Sequence, residues 1–163
     1  MKVIILSDTH GSKKNMDNII PMIKENIDLI IHAGDHFKDS VYLSEKSGKP
    51  VIAVAGNCDY ENVEDEVEFE IEKVRFFLTH GHRHRVKYDL GILAEHAKEK
   101  GADIAVFGHT HIKANEVVSG VQILNPGSLS QPRDGLDGSY VIMEIENGSY
   151  SFEYFNVKVL SLI

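Results

Sequence analysis

Short apolar runs alternate with polar turns along much of the chain, and each run has the length of a buried strand. The runs are rich in β-branched residues and end at a polar or glycine-containing turn, which is typical of strands covered on both faces. We therefore predict four buried strands, at Lys2 to Ser7, Ile27 to His32, Val51 to Ala55 and Asp103 to Phe107.

Two segments between these strands have apolar residues at helical spacing. The first is marked by Met16, Ile19, Ile20, Ile23 and Ile27. Pro21 lies inside this pattern and should kink the helix or delay its start. The second is marked by Leu90, Leu93, Ala94 and Ala97. Gly101 follows it at the place where a helix commonly ends.

The remaining segments favour strands that pair through tight turns. Two hairpins are predicted, Glu66 to Ile71 with Val74 to Thr79, and Ala114 to Val118 with Val121 to Leu124. Further strands are predicted at Tyr140 to Ile145 and Tyr150 to Lys158. Such an order indicates an α/β fold of two packed sheets flanked by helices, one sheet mostly parallel and the other mixed or antiparallel. Nothing marks a domain boundary, so residues 1–163 are expected to form a single domain.

Composition narrows the class of protein. The chain has 163 residues, of which 42% are hydrophobic and 26% charged, as in globular proteins that do not enter membranes. No run approaches the roughly 18 apolar residues that would span a bilayer. The amino-terminal apolar stretch is too short for a signal peptide, and a single cysteine, Cys58, agrees with a reducing compartment. We therefore expect a cytoplasmic protein with no membrane partner.

Net charge bears on the choice of partner. The formal charge is −8, and nucleic-acid binding is dominated by Lys and Arg that neutralise phosphates, so no stable nucleic-acid complex is expected. Two divalent cations held at one place would still attract a small phosphate ester locally. The strand pattern leaves the oligomeric state open, and a homo-oligomer is compatible with it.

Polar residues of the types that bind metals follow the predicted strands. They are Asp8, His10, Asp35, Asn57, Asp59, His80, His109 and His111. Loops beyond the carboxyl ends of strands converge on a ligand crevice in open α/β sheets, so we predict that these residues meet. Carboxylate, imidazole and amide groups together suit Mn²⁺, Fe²⁺ or Zn²⁺. Two such ions would activate a water and clamp phosphate oxygens during hydrolysis.

The order of these residues is similar to that of a known family. The motifs are Asp8-Thr9-His10, Gly34-Asp35, Gly56-Asn57-Cys58-Asp59, Thr79-His80-Gly81-His82 and Gly108-His109-Thr110-His111. They resemble those of the calcineurin-like metallophosphoesterases, in particular the small single-domain prokaryotic phosphodiesterases of the YfcE type. All five occur in order, over about two thirds of the chain.

The resemblance implies a four-layer α/β/β/α sandwich and a binuclear metal site. It implies that one ion is held by Asp8, His10, Asp35 and His111, and the other by the shared Asp35 with Asn57, His80 and His109. A metal-activated hydroxide would then attack phosphorus in line, with no phosphoenzyme. We expect Mn²⁺ as the activating ion, with Ni²⁺, Fe²⁺ or Zn²⁺ as alternatives, and we expect catalytic roles for Asp35, Asn57 and His82.

One position departs from the family pattern. Many members read Gly-Asn-His at the third motif, where the His is taken to protonate the leaving group, but Cys58 stands at that position here. A thiol with an ordinary pKa near 8.5 is a poor substitute, which leaves His36 or His82 as the general acid or restricts the enzyme to good leaving groups. This favours phosphodiesters over unactivated monoesters.

The same residues bear on other possible functions. Some members of this fold, such as the retromer scaffold subunit, are protein-interaction platforms with weakened metal sites, whereas all seven metal positions here can coordinate an ion. A metallo-β-lactamase-like site would need a longer histidine motif than Gly108 to His111 provides. Neither a P-loop nor a dinucleotide-binding fingerprint is present. Hydrolysis of a phosphate ester is therefore preferred to a vestigial scaffold.

Several polar residues are expected to lie outside the metal site. His32 is predicted to be a buried residue that supports the site, and His96 to face solvent on its helix. Arg83, His84 and Arg85 are expected to form a solvated loop, with a phosphate clamp as the alternative. The acidic run from Glu61 to Glu72 is expected to be an exposed strand face rather than a cation site.

Overall fold

The computed structural model describes residues 1–135 and 137–157. The helices are α1 (Lys13–Asn26), α2 (Phe37–Ser47) and α3 (Gly91–Glu99), and a short 3₁₀ turn covers His82–His84. The strands are β1 (Lys2–Leu6), β2 (Leu29–His32), β3 (Val51–Ala53), β4 (Glu66–Ile71), β5 (Val74–Thr79), β6 (Ile104–Val106), β7 (Ala114–Val118), β8 (Val121–Asn125), β9 (Ser139–Glu146) and β10 (Ser149–Asn156).

The strands form two five-stranded sheets. The first has the order β10-β9-β1-β2-β3 and the second β4-β5-β6-β8-β7. In the first sheet β1, β2 and β3 pair in parallel, whereas β9 pairs antiparallel with β1 and β10. In the second sheet β5, β6 and β8 pair in parallel, with β4 and β7 antiparallel at the edges. Both packed sheets are thus mixed, rather than one of them being mostly parallel, because the β9–β10 hairpin adds antiparallel pairs to the first sheet and β4 and β7 add them to the second.

Alternate residues of the strands separate the core into layers. On β1, Val3 and Ile5 face the second sheet and pack with Phe76 and Leu78. The other face of β1, with Ile4 and Leu6, packs on α1 and α2, which contribute Ile23 and Leu43 among others. On the far side, α3 packs Leu93 and Ala97 against Phe77 and Ile123 of the second sheet. These layers confirm the predicted four-layer α/β/β/α sandwich.

Helix α1 continues through Pro21, and its start is not delayed. One of the two effects predicted for this proline therefore does not occur. The helix begins at Lys13 and buries Met16, Ile19, Ile20 and Ile23. A proline inside a helix costs about 3 kcal/mol. Burial of each large aliphatic side chain contributes about 1.5–3 kcal/mol, so the four together outweigh that cost. Pro21 itself is exposed.

Helix α2 was missed by the sequence analysis because its buried face is mostly polar. The residues that α2 buries are Asp39, Ser40, Leu43 and Ser47. An apolar stripe is the main signal for a helix, and one leucine does not provide it. Gly48, in the left-handed conformation with φ of 73°, ends the helix and was the available signal.

The predicted strands occur in the structure, several with shorter ends. The strand predicted from Val51 to Ala55 ends at Ala53, and that from Asp103 to Phe107 covers Ile104–Val106. Ile27 caps α1, so β2 begins only at Leu29. Lys158, predicted to end the last strand, lies outside the described residues.

Candidate metal centre

The predicted site residues lie beyond the carboxyl ends of the parallel strands. Asp8 and His10 follow β1, Asp35 follows β2, His80 follows β5, and His109 and His111 follow β6. Two backbone N–H groups tie these loops together. That of His109 donates to Oδ2 of Asp8 at 3.1 Å, and that of Gly108 donates to the carbonyl oxygen of His80 at 3.0 Å. The two sheets therefore bring six of the seven predicted metal ligands to one edge of the sandwich.

Four of these residues form a compact group, Asp8, His10, Asp35 and His111, whose ligand atoms all lie within 4.8 Å of one another. Oδ1 of Asp8 is 3.3 Å from Nε2 of His111 and 3.9 Å from Nε2 of His10. Nε2 of His10 is 3.7 Å from Oδ2 of Asp35 and 3.3 Å from Nε2 of His111. The four side chains thus point at a common position.

Backbone carbonyls fix the orientation of two imidazoles. Nδ1 of His80 lies 2.7 Å from the carbonyl oxygen of Ala33, and Nδ1 of His111 lies 2.7 Å from that of Gln131. A carbonyl oxygen only accepts, so each Nδ1 carries the hydrogen and, in the neutral ring, Nε2 presents a lone pair. This is the arrangement by which proteins orient metal-binding histidines.

Buried atoms at this place have no hydrogen-bond partner, namely Oδ1 of Asp8 and Nε2 of His80. Asp8 and His80 have no exposed surface, so water does not compensate them. Leaving a buried charged group unpaired is costly. A bound cation would satisfy both atoms, so these side chains fit the divalent ions that the sequence predicts.

The second predicted ligand set is less closely assembled. Nε2 of His80 is 3.3 Å from Oδ2 of Asp35, and the rings of His80 and His109 are 5.1 Å apart. Asn57 is exposed in the turn after Gly56, where its side-chain amide contacts Sγ of Cys58 at 3.7 Å. The backbone N–H of Cys58 donates to Oδ1 of Asp35, the predicted shared ligand, at 3.0 Å. Asn57 is the chain neighbour of Cys58 and is therefore held near Asp35.

Electrostatics keep Asp35 and His109 in metal-binding forms. Burial alone would raise the pKa of Asp35, but the His80 imidazole and the N–H of Cys58 outweigh it and hold that pKa well below its usual range. Burial and then the nearby His80 lower the pKa of His109 to about 4. Asp35 is therefore ionised and His109 neutral at neutral pH, and these are the states in which each binds a metal.

The candidate general acids lie around the same edge. The ring of His82 is 5.5 Å from that of His80 and 6.1 Å from that of His109, and burial is the main cause that lowers its pKa. His36 is exposed, and its ring lies beside Gly11, the residue that follows His10. Burial, followed by Asp35, raises the pKa of the Cys58 thiol, which makes it a still weaker acid.

Asp59, which was predicted either to meet the other strand-end residues as a ligand or only to orient its neighbours, organises the loops. Its Oδ1 accepts the N–H groups of His36 at 2.8 Å and Phe37 at 2.7 Å, and its Oδ2 accepts that of Gly56 at 2.8 Å. These contacts occupy both carboxylate oxygens. Asp59 therefore positions the Asp35 and Asn57 loops.

Supporting residues near the site were missed because their side chains bind backbone atoms rather than each other. Asp39 of α2 accepts the N–H of Gly11 at 2.7 Å, next to His10. Ser128 donates to the carbonyl oxygen of Asp8 at 2.8 Å. Asn125 donates to the carbonyl oxygen of Gly108 at 3.0 Å and so fixes the loop that carries His109. Asn125 at the end of β8 and Ser128 just after it have no spacing that would single them out in the sequence.

The ligand loops have a strained backbone. Non-glycine residues with positive φ include Asp8 at 53°, His10 at 44°, Asp35 at 62°, His36 at 73°, His109 at 71° and His111 at 59°. Such conformations cost of order 1–3 kcal/mol each for residues with a Cβ, and they gather at functional sites. Their concentration at one edge supports the location of the site.

Two glycines allow the ligand loops to approach closely. A Cβ on Gly56 would overlap Oδ1 of Asp35, and one on Gly108 would overlap Oγ of Ser7. The Gly108 Cβ would also stand 2.7 Å from Oδ2 of Asp8. Both positions therefore require glycine, since either carboxylate would be displaced by a methyl group.

Comparison with known proteins gives the family. Residues 1–148 match the calcineurin-like phosphoesterase superfamily domain. The chain is 34% identical over 157 residues to the probable metallophosphoesterase YsnB of Bacillus subtilis, covering 96% of this chain and 91% of that protein. It is 32% identical over 145 residues to the phosphodiesterase MJ0936 of Methanocaldococcus jannaschii, covering 78% and 83%.

Solved structures agree. A predicted phosphoesterase from Streptococcus pneumoniae superposes with a TM-score of 0.80 at 25% identity, over 95% of this chain and 88% of that one. A Vps29 variant from Entamoeba histolytica gives 0.78 at 22% identity over 97% and 100%, a similarity of fold alone. Among the described residues no helix is long and apolar enough to cross a membrane. The chain belongs to the calcineurin-like phosphoesterase superfamily.

Proposed function

We propose that the protein is a binuclear metal-dependent phosphodiesterase that hydrolyses a small phosphate ester. One observation carries the proposal: His80 and His111, oriented by backbone carbonyls, present Nε2 to the carboxylates of Asp35 and Asp8 at 3.3 Å. A neutral imidazole would set its lone pair against the carboxylate at that distance. A proton or a metal cation between the two groups removes the repulsion, and the convergence of four ligand side chains favours a metal cation.

The proposed ligand sets share one carboxylate. Asp8, His10, Asp35 and His111 would hold one ion, and Asp35, Asn57, His80 and His109 the other. The closeness of the first four side chains supports the first set, and the contact of His80 with Asp35 supports the second. Oxygen and imidazole donors suit Mn²⁺, which we expect to activate the enzyme in vitro, with Ni²⁺, Fe²⁺ or Zn²⁺ as alternatives.

When bound, such ions polarise phosphate oxygens and generate a hydroxide for in-line attack on phosphorus. The chain's own groups perform the remaining tasks. Asp35, which stays ionised, would fix the spacing of the two ligand sets, and Asn57 would supply a neutral oxygen from the exposed turn. Backbone bonds to Ala33 and Gln131 would keep the imidazoles of His80 and His111 from rotating during turnover.

A groove next to the site can receive the substrate. It has a volume of about 790 Å³ and is lined by Gly56, Asp59, His82 and Arg83 among others. His82 would protonate the leaving oxygen from this side, and His36 would do so from the His10 side. The guanidinium of Arg83 pairs with Asp65 at 3.0 Å but is largely exposed, so it can also meet a phosphate at the rim.

A preference for diesters rests on the weak acid at Cys58. A monoester with a poor leaving group needs a proton donor close to the leaving oxygen, and the raised pKa of the Cys58 thiol makes it unsuitable. An activated diester depends less on such a donor. The name of the phosphodiesterase relative from Methanocaldococcus jannaschii is consistent with this preference.

The single cysteine further supports a cytoplasmic location.

The alternative is a protein-interaction scaffold with a vestigial metal site. The similarity of fold to Vps29 is the observation behind it. Retention of ligand-type side chains at all seven positions, with two of their buried atoms unpartnered, supports the enzyme instead. Either role is compatible with a homo-oligomer.

The decisive experiment compares an aryl phosphodiester with the matching monoester. Protein stripped with a chelator would be assayed before and after addition of Mn²⁺, with bound metal counted in parallel. Activity that returns with metal, and is higher on the diester, would support the proposal. Folded protein that binds no metal and has no turnover with any of the four ions would favour the scaffold.

A further inference from the structure

A second cluster of metal-binding side chains lies apart from the site above. Glu66, His84 and His96 come from β4, the 3₁₀ turn and α3, and each offers a ligand atom within 4.8 Å of the others. We refer to them as the outer cluster. His84 was expected on a solvated loop and His96 facing solvent. The expectation for His84 was wrong, because the 3₁₀ turn folds it inward, where it is only 7% exposed. The side chain of His96 is 35% exposed, with its Nε2 turned toward Glu66.

Phe77 forms an apolar floor beneath the two histidines of the outer cluster. The ring of Phe77 meets that of His84 at 5.9 Å and that of His96 at 5.2 Å, both edge to face. The two imidazoles are 5.1 Å apart. Such a floor offers no hydrogen-bond partner to a ring nitrogen.

One buried nitrogen that faces the carboxylate of this cluster is unpartnered. Nε2 of His96 is buried with no hydrogen-bond partner. Nε2 of His96 faces Oε1 of Glu66. Buried polar atoms nearly always have hydrogen-bond partners, and each such atom without a partner costs about 1–3 kcal/mol of stability. Its presence beside a carboxylate points to a missing ligand.

The spacing suits a metal ion better than direct hydrogen bonds. Nε2 of His84 is 3.6 Å from Oε2 of Glu66, and Nε2 of His96 is 3.6 Å from Oε1. Both separations exceed the usual hydrogen-bond range. Zinc bonds of about 2.0–2.1 Å to nitrogen and oxygen in a tetrahedron separate neighbouring ligands by roughly 3.3–3.5 Å. A shift of a few tenths of an ångström would complete such a site.

We propose that Glu66, His84 and His96 bind one divalent transition ion, preferably Zn²⁺, at a site separate from the metal centre, with water completing the coordination. The chemistry of two imidazoles and one carboxylate is common to protein zinc sites. The ion joins β4, the 3₁₀ turn and α3. His82 starts the same turn, so the ion also restrains the segment that carries this proposed acid.

The test is metal stoichiometry in variants of the outer cluster. Stripped protein would be reloaded with Zn²⁺, desalted and analysed for bound metal. His96→Gln on α3 and, as a second variant, Glu66→Gln on β4 should each bind about one ion per chain fewer than the unsubstituted chain. Lys98→Gln, on the exposed side of α3, is the matched control and should lose none. Equal zinc content in all four proteins would overturn the proposal.

A thermal measurement separates this site from the proposed function. In an Asp8→Asn/Asp35→Asn background, which disables the metal centre, Zn²⁺ at about 100-fold above its Kd should still raise Tm by roughly 5–10 °C. Adding His96→Gln should abolish that rise, whereas adding Lys98→Gln should not. A rise that survives His96→Gln contradicts the outer site. Because neither test measures hydrolysis, the outer site stands or falls independently of catalysis.

Discussion

Nε2 of His80 lies 3.3 Å from Oδ2 of Asp35, while the opposite ring nitrogen of His80 is held by the carbonyl oxygen of Ala33 at 2.7 Å. Burial opposes a charge on His80, yet the carboxylates of Asp35 and Asp8 outweigh it and raise the pKa of the imidazole. A proton or a metal ion can fill the space between the two side chains. Metal binding at this place is therefore expected to release protons.

Replacement of His82 tests which side chain protonates the leaving group. His82→Ala should lower turnover by about 10²–10⁴-fold, the usual contribution of a general acid, with bound metal unchanged. Its ring adjoins His80 and His109 but is outside the proposed ligand sets. His36→Ala is the matched variant on the other side. If only that variant loses activity, His36 is the acid, and if neither does, the proton comes from solvent.

Replacement of Cys58 tests whether the missing acid limits the rate. Cys58→His places an imidazole on the exposed turn beside Asn57, so hydrolysis of substrates with poor leaving groups should rise by about tenfold or more. Activated aryl esters should change little, because they need no proton. Kinetics on a series of leaving groups would measure this. An equal change across the series would show that Cys58 does not determine leaving-group protonation.

Stability should fall in acid because of His32. The N–H of Gly34 donates to Nδ1 of His32 at 3.1 Å, and Nε2 lies 3.0 Å from Oγ1 of Thr9, so the ring is buried in its neutral form. Burial lowers the pKa of His32 to about 4 from an ordinary 6.5. The unfolded chain therefore gains a proton below about pH 6.5 that the folded chain does not accept until about pH 4.

This difference should remove about 3 kcal/mol of unfolding free energy between those two pH values. Urea unfolding of metal-free protein at several pH values would measure it. His32→Asn, which keeps polar groups near Gly34 and Thr9, should be less stable at neutral pH and should show a shallower pH dependence. An equally steep dependence in that variant would assign the effect to other groups.

A methyl group at Gly108 should disturb the metal centre by crowding Asp8. Gly108→Ala overlaps Oγ of Ser7 and crowds Asp8, so we expect a loss of about 1–3 kcal/mol of stability and weaker metal binding. Gly135→Ala is the control, because a Cβ there meets nothing within 4 Å. Unfolding curves and metal titrations would compare the two. Similar behaviour of both variants would contradict the close approach.

The sequence predicted those parts of the site that depend on strand ends. Asp8, His10, Asp35, His80, His109 and His111 each follow a strand with a clear apolar pattern, so their meeting followed from topology. The outer cluster did not follow, because Glu66, His84 and His96 show no shared spacing. Only the packing of α3 over the second sheet brings them together.

The fold was predictable to a similar extent. The features that the prediction missed have physical causes. Helix α2 buries serines and an aspartate rather than an apolar stripe, so periodicity could not reveal it. The return of β9 to pair with β1 is a long-range event, which no local pattern near Ser139 records. Both features are decided by tertiary packing rather than by local preference.

The most direct test of the metal centre is a comparison of the unsubstituted chain with Asp35→Asn, in bound Mn²⁺ and in rate on an aryl phosphodiester. Replacement of the shared ligand should remove bound metal and lower the rate by at least about 10²–10³-fold, with the circular dichroism of the fold retained. That result would establish Asp35 as the residue on which the site depends. A normal rate and unchanged metal content in Asp35→Asn would contradict the account.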